Sequence, residues 1–564
     1  MTAAAVATNS HPARSRPAKL TDAELAARAR TAIAAAHAEP RYNLADEGWI
    51  PTLQAGEPRL VGVRELLADA HRIGDLAVPH PLLRAALRRY LLALCADVVR
   101  ADRNRDVGDW QDAHAANAGF TTGQIDELLA RHGEHLFLWH PLSPFLQDQR
   151  LARTLLKPNA DLAVQDLVLH LPSGSSAAWW VKAGDPSLVG GLDPARTAMW
   201  LLARWFYAVN GNCADIVLAD GSTVGAQNGG VYAETVAKLT HAFRVDGQSL
   251  FRSLLRGLPA TLGNASADPT GSCAWLDPAQ PGPSGHALYQ ATINPAAVLL
   301  TGRDGAGDTT RFVRGAVPLP AAQTKQLRDL ALQADRHRIV SVDAAGTSST
   351  VRIPPGVQRT EVLRLLHRAA LEGGQLVGVV NSADCWLPTS AATIEQERLD
   401  LLLVSKAGTG SSPVWDDMSG VDLPARYTDP AHPDPRYVEH VRAAVKVAFD
   451  PKDGVHQRLE RAFSDLLAQP VDGGWKWPRK DSSSGGAVRS LLEAGYADWQ
   501  LRTAAELEQV LDSTEHDALR RWSDAVWRCA REAFSYIARP YTTSSRYAPR
   551  YAAALGHLTP WSAR

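Results

Sequence analysis

Apolar positions recur at helical spacing early in the chain. Leu82, Leu83, Ala86, Leu87, Tyr90, Leu91 and Leu94 fall on one face and predict a packing helix. Ahead of it, Tyr42 to about Leu60 reads as two short strands around Gln54-Ala-Gly-Glu-Pro58, a turn sequence of hairpin type. Further upstream, Thr21-Asp-Ala-Glu24 sets a capping residue three positions before a carboxylate and opens an Ala-rich helix to about Ala38. Residues 1–20 have the composition of a disordered tail. Between Gln149 and Pro430, Ala287–Leu300 and Leu376–Val380 read as strands, and Asp193–Val209 and Thr360–Leu371 have helical period with Gly and Pro at their margins. After the Pro-dense linker Thr428-Asp-Pro-Ala-His-Pro-Asp-Pro435, helical runs follow near Tyr437–Ala448, Val455–Ala468, Ala487–Leu501 and Ala518–Ala538. The expected architecture is α+β. It comprises a tail and helical extension over residues 1–40, a large mixed domain over 41–430, and a C-terminal four-helix bundle over 431–564. There is no internal repeat and no heptad array.

At 564 residues the chain exceeds the size at which one hydrophobic core stops growing, so two domains, a large one and a smaller one, are expected. The formal net charge of −1 provides no global field for a polyanion, so any nucleic-acid contact must come from local patches or partner subunits. Five cysteines stand far apart with no Cys-x-x-Cys pair, which argues against a zinc ribbon and a secreted disulfide framework. The N-terminus offers no apolar run of signal or membrane length, so a cytoplasmic protein is expected.

Recognisable catalytic motifs are absent. There is no P-loop, His-Glu-x-x-His, EF-hand loop, Gly-x-Ser-x-Gly elbow or Pro-Cys-x-x-Cys. The pairs His135/His140 and His432/His440 lack the carboxylate or thiolate partners of a metal site. Asp304/Asp308 and Asp416-Asp417 lie in Gly/Ser-rich surroundings and read as solvated loop tips. No cofactor and no catalysis are expected. The enzymatic alternative is a hydrolase using the Ser-rich loop Ser173–Ser176 with a distant His, since such geometry is spatial. A scaffold that never meets nucleic acid is a third reading.

Several stretches suit nucleic acid. Trp179-Trp180-Val-Lys182 follows a Ser/Gly-rich loop, a combination that serves either a strand core or a stacking and phosphate contact. Asp220-Gly221-Ser222-Thr-Val-Gly-Ala-Gln-Asn228-Gly-Gly230 is too glycine-rich for regular structure and can present bare backbone to a groove. Gly408-Thr409-Gly410-Ser411 closes a tight turn after an apolar strand. Lys476, Arg479 and Lys480 interleave with Trp475 and Trp477, and residues 519–550 hold seven arginines against Asp524 and Glu532.

Tyr42-Asn-Leu-Ala-Asp-Glu-Gly-Trp49-Ile-Pro51, then Val63–Leu76, then Leu136-Phe-Leu-Trp-His-Pro-Leu-Ser-Pro-Phe-Leu-Gln147 occur in the order seen in one family. By these segments the chain resembles CasA, the large subunit of the type I-E CRISPR surveillance complex Cascade. The resemblance implies a non-catalytic subunit that reads a protospacer-adjacent motif in duplex DNA and helps open the duplex. Its partners would be other Cascade subunits, CRISPR RNA and a helicase-nuclease, with no membrane. It puts Trp180 at the aromatic of the family's first loop, with Lys182 beside it, and Gly221 in its glycine loop. It puts residues 408–411 at a wedge whose usual amide side chain this chain lacks. The family's lysine finger has only Arg311 and Arg314 as candidates here. His456-Gln-Arg-Leu-Glu-Arg461-Ala-Phe463 resembles a helix of the family's C-terminal bundle.

Overall fold

The computed structural model describes residues 22–153, 161–169, 191–207, 216–217, 223–224, 240–263, 273–276, 287–292, 296–316, 335–342, 345–350, 375–377, 379, 382–388, 396–407, 414–425, 435–450, 453–472, 474–477, 483–513, 515–544 and 547–559. Among these, no helix is long and apolar enough to cross a membrane.

The chain begins with α1 (Asp22–Ala36), β1 (Arg41–Asn43) and the hairpin β2 (Ile50–Gln54) and β3 (Glu57–Val61). Ala55 and Gly56 both sit at positive φ, 52° and 85°, the conformation a two-residue hairpin turn demands and the reason Gly stands there. After α2 (Val63–Ala68), β4 (Ile73–Leu76) pairs with the other edge of β2. Trp49 is fully buried; its indole N–H donates to the Leu44 carbonyl at 2.9 Å, and its ring meets Tyr90 and Phe145 edge-on. The Trp-Ile-Pro signature is therefore a core plug.

Helix α3 (Pro81–Ala101) runs through the middle of the N-terminal half, with Pro81 in its first turn. The apolar face predicted from the sequence packs as expected, but the opposite face is buried too, including Arg88, Arg89 and Arg100. Helices α4 (Val107–Ala116) and α5 (Thr122–His132) each open with a reciprocal capping box, Asp106 with Asp109 and Thr121 with Gln124. Next, β5 (Phe137–Trp139) closes against β1.

Strand β6 (Asp161–Ala163) precedes α6 (Pro194–Tyr207), which packs on α3. The short pair β7 (Ile216–Val217) and β8 (Thr223–Val224) follows, then β9 (His241–Val245) and α7 (Leu250–Gly257). Ala287–Leu300, expected as one strand, divides into helix α8 (Ala287–Thr292) and strand β10 (Ala296–Arg303). Thr292, the last residue of the helix, donates its hydroxyl hydrogen to the Leu288 carbonyl and accepts from the Ala274 amide. Strand β10 pairs with β11 (Thr309–Ala316), and β6 lies beyond β11. The period-2 alternation of this sheet is used on both sides: Val298, Leu300 and Phe312 join the main core, whereas Ala297, Leu299 and Val313 meet Leu151 and Ile33 of α1. Helix α1 is thus the cover of an apolar sheet face. His37 pins its end between the carbonyls of His140 at 3.2 Å and Leu300 at 2.9 Å.

A small sheet of β12 (Val340–Val342), β13 (Ser348–Thr350) and β14 (Gln375–Val377) leads to the hairpin β15 (Arg398–Ala407) and β16 (Val414–Pro424), with β9 on the other side of β15. The predicted helix Thr360–Leu371 lies outside the described residues. Of this sheet, Phe243 and Leu402 belong to the first core, and Ala242, Leu399, Leu401 and Leu403 to a second core shared with the C-terminal helices. One sheet therefore separates and joins the two cores. The C-terminal part comprises α9 (Pro435–Phe449), α10 (Val455–Leu466), the hairpin β17 (Gln469–Val471) and β18 (Gly474–Lys476), α11 (Ser483–Asp512), α12 (His516–Thr542) and α13 (Ala548–Gly556). A fifth helix and a hairpin thus accompany the four helical runs expected from sequence.

Removing the plug in Trp49→Ala is expected to cost about 3–5 kcal/mol through the cavity it leaves. Leu60→Ala, on the exposed edge strand, is expected to stay within about 0.5 kcal/mol. Urea unfolding followed by tryptophan fluorescence checks both.

Candidate nucleic-acid interface

The β15–β16 hairpin is rooted in a seam of buried ion pairs. Asp400 on β15 accepts from Arg84 Nε at 2.7 Å and Nη2 at 2.8 Å, and from Arg88 Nε at 3.1 Å. Arg88 also reaches Asp75 of β4 at 3.0 Å. Glu397, just before β15, receives Arg244 of β9 and Arg256 of α7, and Arg244 Nε donates on to the Val379 carbonyl at 2.6 Å. Asp335 takes Arg89 and lies 3.4 Å from His241.

The electrostatics follow from these partners. Burial pushes the Asp400 carboxyl up, but Arg88 and Arg84 hold it below its ordinary value. Burial likewise acts on Asp335, and Arg89 and His241 bring it well below. Burial lowers His241 against the pull of Asp335. Burial and the Arg89 guanidinium bring His337 down to about 3, so it is a neutral ring, stacked on Phe243 at 5.1 Å. Sequence reasoning missed this seam. Its signal was present as arginines at i, i+4 and i+5 within an apolar helix and a single acid in the Leu-rich run Arg398-Leu-Asp400-Leu-Leu-Leu.

From this root the hairpin continues past β9. Strand β15 leaves β9 after Leu402 but stays paired with β16 through Ala407↔Val414. Five residues past the three-stranded part span about 17 Å of two-stranded arm. A bulge between Ser405 and Lys406 raises the local twist. The turn carrying Gly408, Thr409, Gly410 and Ser411 lies outside the described residues, bounded by the arm's two ends. Asp416 and Asp417, expected on a loop tip, stand on β16, with Asp417 opposite Ser405. Backbone pairing with β15 carries the ladder past the point where Gly/Ser composition suggested a loop.

Trp180 and Lys182 lie outside the described residues, as does Ser173–Ser176, but both ends of their segment are anchored on the β10–β11–β6 sheet. Upstream, Val164, Leu167, Val168 and Leu169 are buried, and Arg204 of α6 donates to the Asp166 carbonyl while lying over the Phe312 ring. Downstream, Leu192 and Thr309 exchange both backbone hydrogen bonds, at 2.9 and 2.8 Å. Gly221 and Ser222 fall between β7 and β8, outside the described residues, and so does Asn228. Strand β7 packs against the 3-10 turn Gln149–Arg153, which also packs on β10. The flanks of the aromatic loop and the glycine loop therefore share one scaffold.

Arg311 and Arg314 are not on a loop. They stand on β11, three residues apart and hence on opposite faces, with Arg311 exposed and Arg314 half-buried. Asp304 is a turn organiser whose Oδ1 accepts from the amides of Ala306 and Asp308. His140 Nδ1 accepts from the Ser143 amide, and His440 Nε2 meets the Val510 carbonyl, so both rings are occupied structurally.

In the C-terminal part Lys476 is exposed at the end of β18; Arg479 and Lys480 lie outside the described residues. Of the seven arginines, Arg520 meets Asp517, Arg528 meets Glu506, and Arg550 meets Asp465, whereas Arg521, Arg531 and Arg539 are exposed on α12. Arg546 lies outside the described residues.

Residues 43–327 match a family model described as CRISPR-associated protein Cse1. A CasA/Cse1 protein of Thermus thermophilus is 39% identical over 108 residues, 19% of this chain and 21% of that protein, so the sequence match spans about a fifth of the relative's length. Among solved structures, a Thermus thermophilus CasA superposes with a TM-score of 0.58 at 21% identity, covering 92% of this chain and 98% of that one. Cse1 of Acidimicrobium ferrooxidans gives 0.57 at 19% identity over 92% and 99%. A chain of a CRISPR RNA-guided surveillance complex gives 0.62 at 18% identity over the same shares. At these identities the likeness is one of fold.

Asp400→Ala is expected to destabilise the chain by about 3–5 kcal/mol, because Arg84 and Arg88 lose their shared counter-ion in a buried place. The pH profile has a definite sign. His241 and His337 have lowered folded pKa values, so their contribution is complete above the free imidazole value near 6.5 and declines as pH falls, by up to about 1.4 kcal/mol per pH unit for each ring. Asp400 and Asp335, with depressed values, add their loss only below about pH 4. Chemical denaturation between pH 8 and 4 tests this; a flat profile from 7 to 5 contradicts it.

Proposed function

The chain belongs to the CRISPR-associated protein Cse1 family, the CasA-type large subunits, and from that premise we propose that it reads a protospacer-adjacent motif in duplex DNA for an RNA-guided surveillance complex. Its partners on this reading are the other Cascade subunits, CRISPR RNA, the target duplex and a helicase-nuclease that it helps recruit. It works without catalysis, by placing protein groups in a groove and leaving the target sequence to base pairing with the guide.

The observation that carries the reading is the two-stranded continuation of β15–β16 past β9. A two-stranded ribbon continues about 17 Å past β9 from a root of buried ion pairs, and the segment joining its strands carries Gly408-Thr409-Gly410-Ser411, all with small side chains. Such a segment enters a groove or the space below a base pair without steric penalty. Lacking an amide side chain, it separates strands by occupying space and not by pairing with a base. Trp180 and Lys182 supply an aromatic and a phosphate contact from the sheet β10–β11–β6 side, and Gly221, Ser222 and Asn228 bring backbone and small polar groups to the minor groove. That groove distinguishes A·T from T·A poorly, so several motifs should be tolerated. The near-neutral chain relies on the assembled ribonucleoprotein for most of its affinity.

Gel-shift titration of the reconstituted complex on a motif-bearing duplex tests the proposal. Trp180→Ala, Gly221→Asp and an insertion of bulky residues at 408–411 should each weaken binding roughly 5- to 150-fold, the range of one lost specific contact. Binding to a target already opened at the motif should change little. Equal affinity of all variants for the closed duplex would refute the reading.

A further inference from the structure

The hairpin β17–β18 ends in an aromatic that the fold holds in the open. Trp477 is 52% exposed, yet its indole N–H donates to Asp465 Oδ1 at 3.0 Å. Asp465 is buried at the end of α10 and fixed from two further directions. Arg550 of α13 contacts its carboxylate and, through Nε at 3.2 Å, its carbonyl, and His557 Nε2 lies 3.3 Å from Oδ2. The edge of the indole is thus clamped while much of the ring stays in solvent. An aromatic already ordered gives up little freedom on binding.

Its surroundings are cationic. Lys476 is exposed next to it in sequence, and Arg461, one helical turn before Asp465 on the same face of α10, is exposed as well. The stretch Gly474-Trp-Lys476-Trp477-Pro-Arg479-Lys480 carries three cations and no acid. A rigid exposed ring among cations suits a strand that offers bare π-faces and phosphates together, and a stacked duplex offers no such face.

We infer that Trp477 is a stacking platform for an unpaired nucleobase of single-stranded nucleic acid, with Lys476 and Arg461 taking the flanking phosphates. The inference rests on the reading that this chain meets nucleic acid, and concerns residues other than those proposed to read the motif.

Fluorescence anisotropy of labelled oligo(dT) and oligo(rU) with the purified full-length chain, over a salt series, tests it. Trp477→Ala should weaken binding roughly 5- to 150-fold and Trp477→Phe, which keeps a ring face, only a few-fold. Lys476→Ala and Arg461→Ala should each lower the log–log salt slope by about 0.7. Preference for oligo(dT) identifies the strand as displaced DNA, and preference for oligo(rU) identifies it as RNA. Unchanged affinity of Trp477→Ala, or no binding of either oligonucleotide by the wild-type chain, overturns the platform. Equal losses in the Ala and Phe variants with a lowered thermal midpoint also overturn it, since Trp477 would then only hold the hairpin. Intact strand affinity with lost capture of the helicase-nuclease reassigns the surface to a protein. Because Trp180→Ala leaves this surface untouched, failure of motif reading in the assembled complex is distinguishable from failure here.

Discussion

Three arginines on one helix, Arg84, Arg88 and Arg89, are carried into the interior by an apolar face that must be buried, and each uncompensated ion there would cost several kcal/mol. The fold satisfies them with Asp75, Asp335 and Asp400, drawn from segments before and far after the helix. A buried ion pair adds little net stability over an apolar contact, but it discriminates strongly between registers. Slipping β15 by one residue would turn Asp400 to the other face of the sheet and take the shared carboxylate from Arg84 and Arg88, leaving Arg88 only Asp75. The seam is therefore a register lock for the strand that supports the two-stranded arm.

With its root fixed, the sheet β16–β15–β9 can contribute one face to each of the two cores and still continue as a two-stranded ribbon past β9. A rigid root suits the groove reading proposed above, because a mobile reader would lose its affinity to ordering entropy. The same logic recurs on a smaller scale around Asp465, where one buried carboxylate ties α10, α13 and the β17–β18 hairpin together. In both places a buried acid sets the position of groups at the surface.

The sheet β10–β11–β6 plays the corresponding part for the other loops. Its two apolar faces are covered by the main core and by α1, and the backbone exchange between Leu192 and Thr309 ties a loop end directly to it. Helix α1 precedes the span matched by the family model, residues 43–327.

Features governed by neighbours in sequence were legible in the chain. The hairpin around Ala55-Gly56, the helix ending at Tyr207 and the C-terminal helical runs follow from turn chemistry and 3.6-residue periodicity, and the motif around Trp49 pointed to the family. Features governed by distant partners were not. Periodicity marked one apolar face of α3 but was silent on its arginine face, because Arg84 and Asp400 are separated by 316 positions. Gly/Ser composition suggested a loop at Asp416-Asp417, whereas pairing with β15 makes it strand. Sequence alone thus determined the local elements and the kinship. Tertiary structure decided which charges are buried together and how far the arm reaches, because long-range pairing depends on which segments meet in space and no local pattern encodes that.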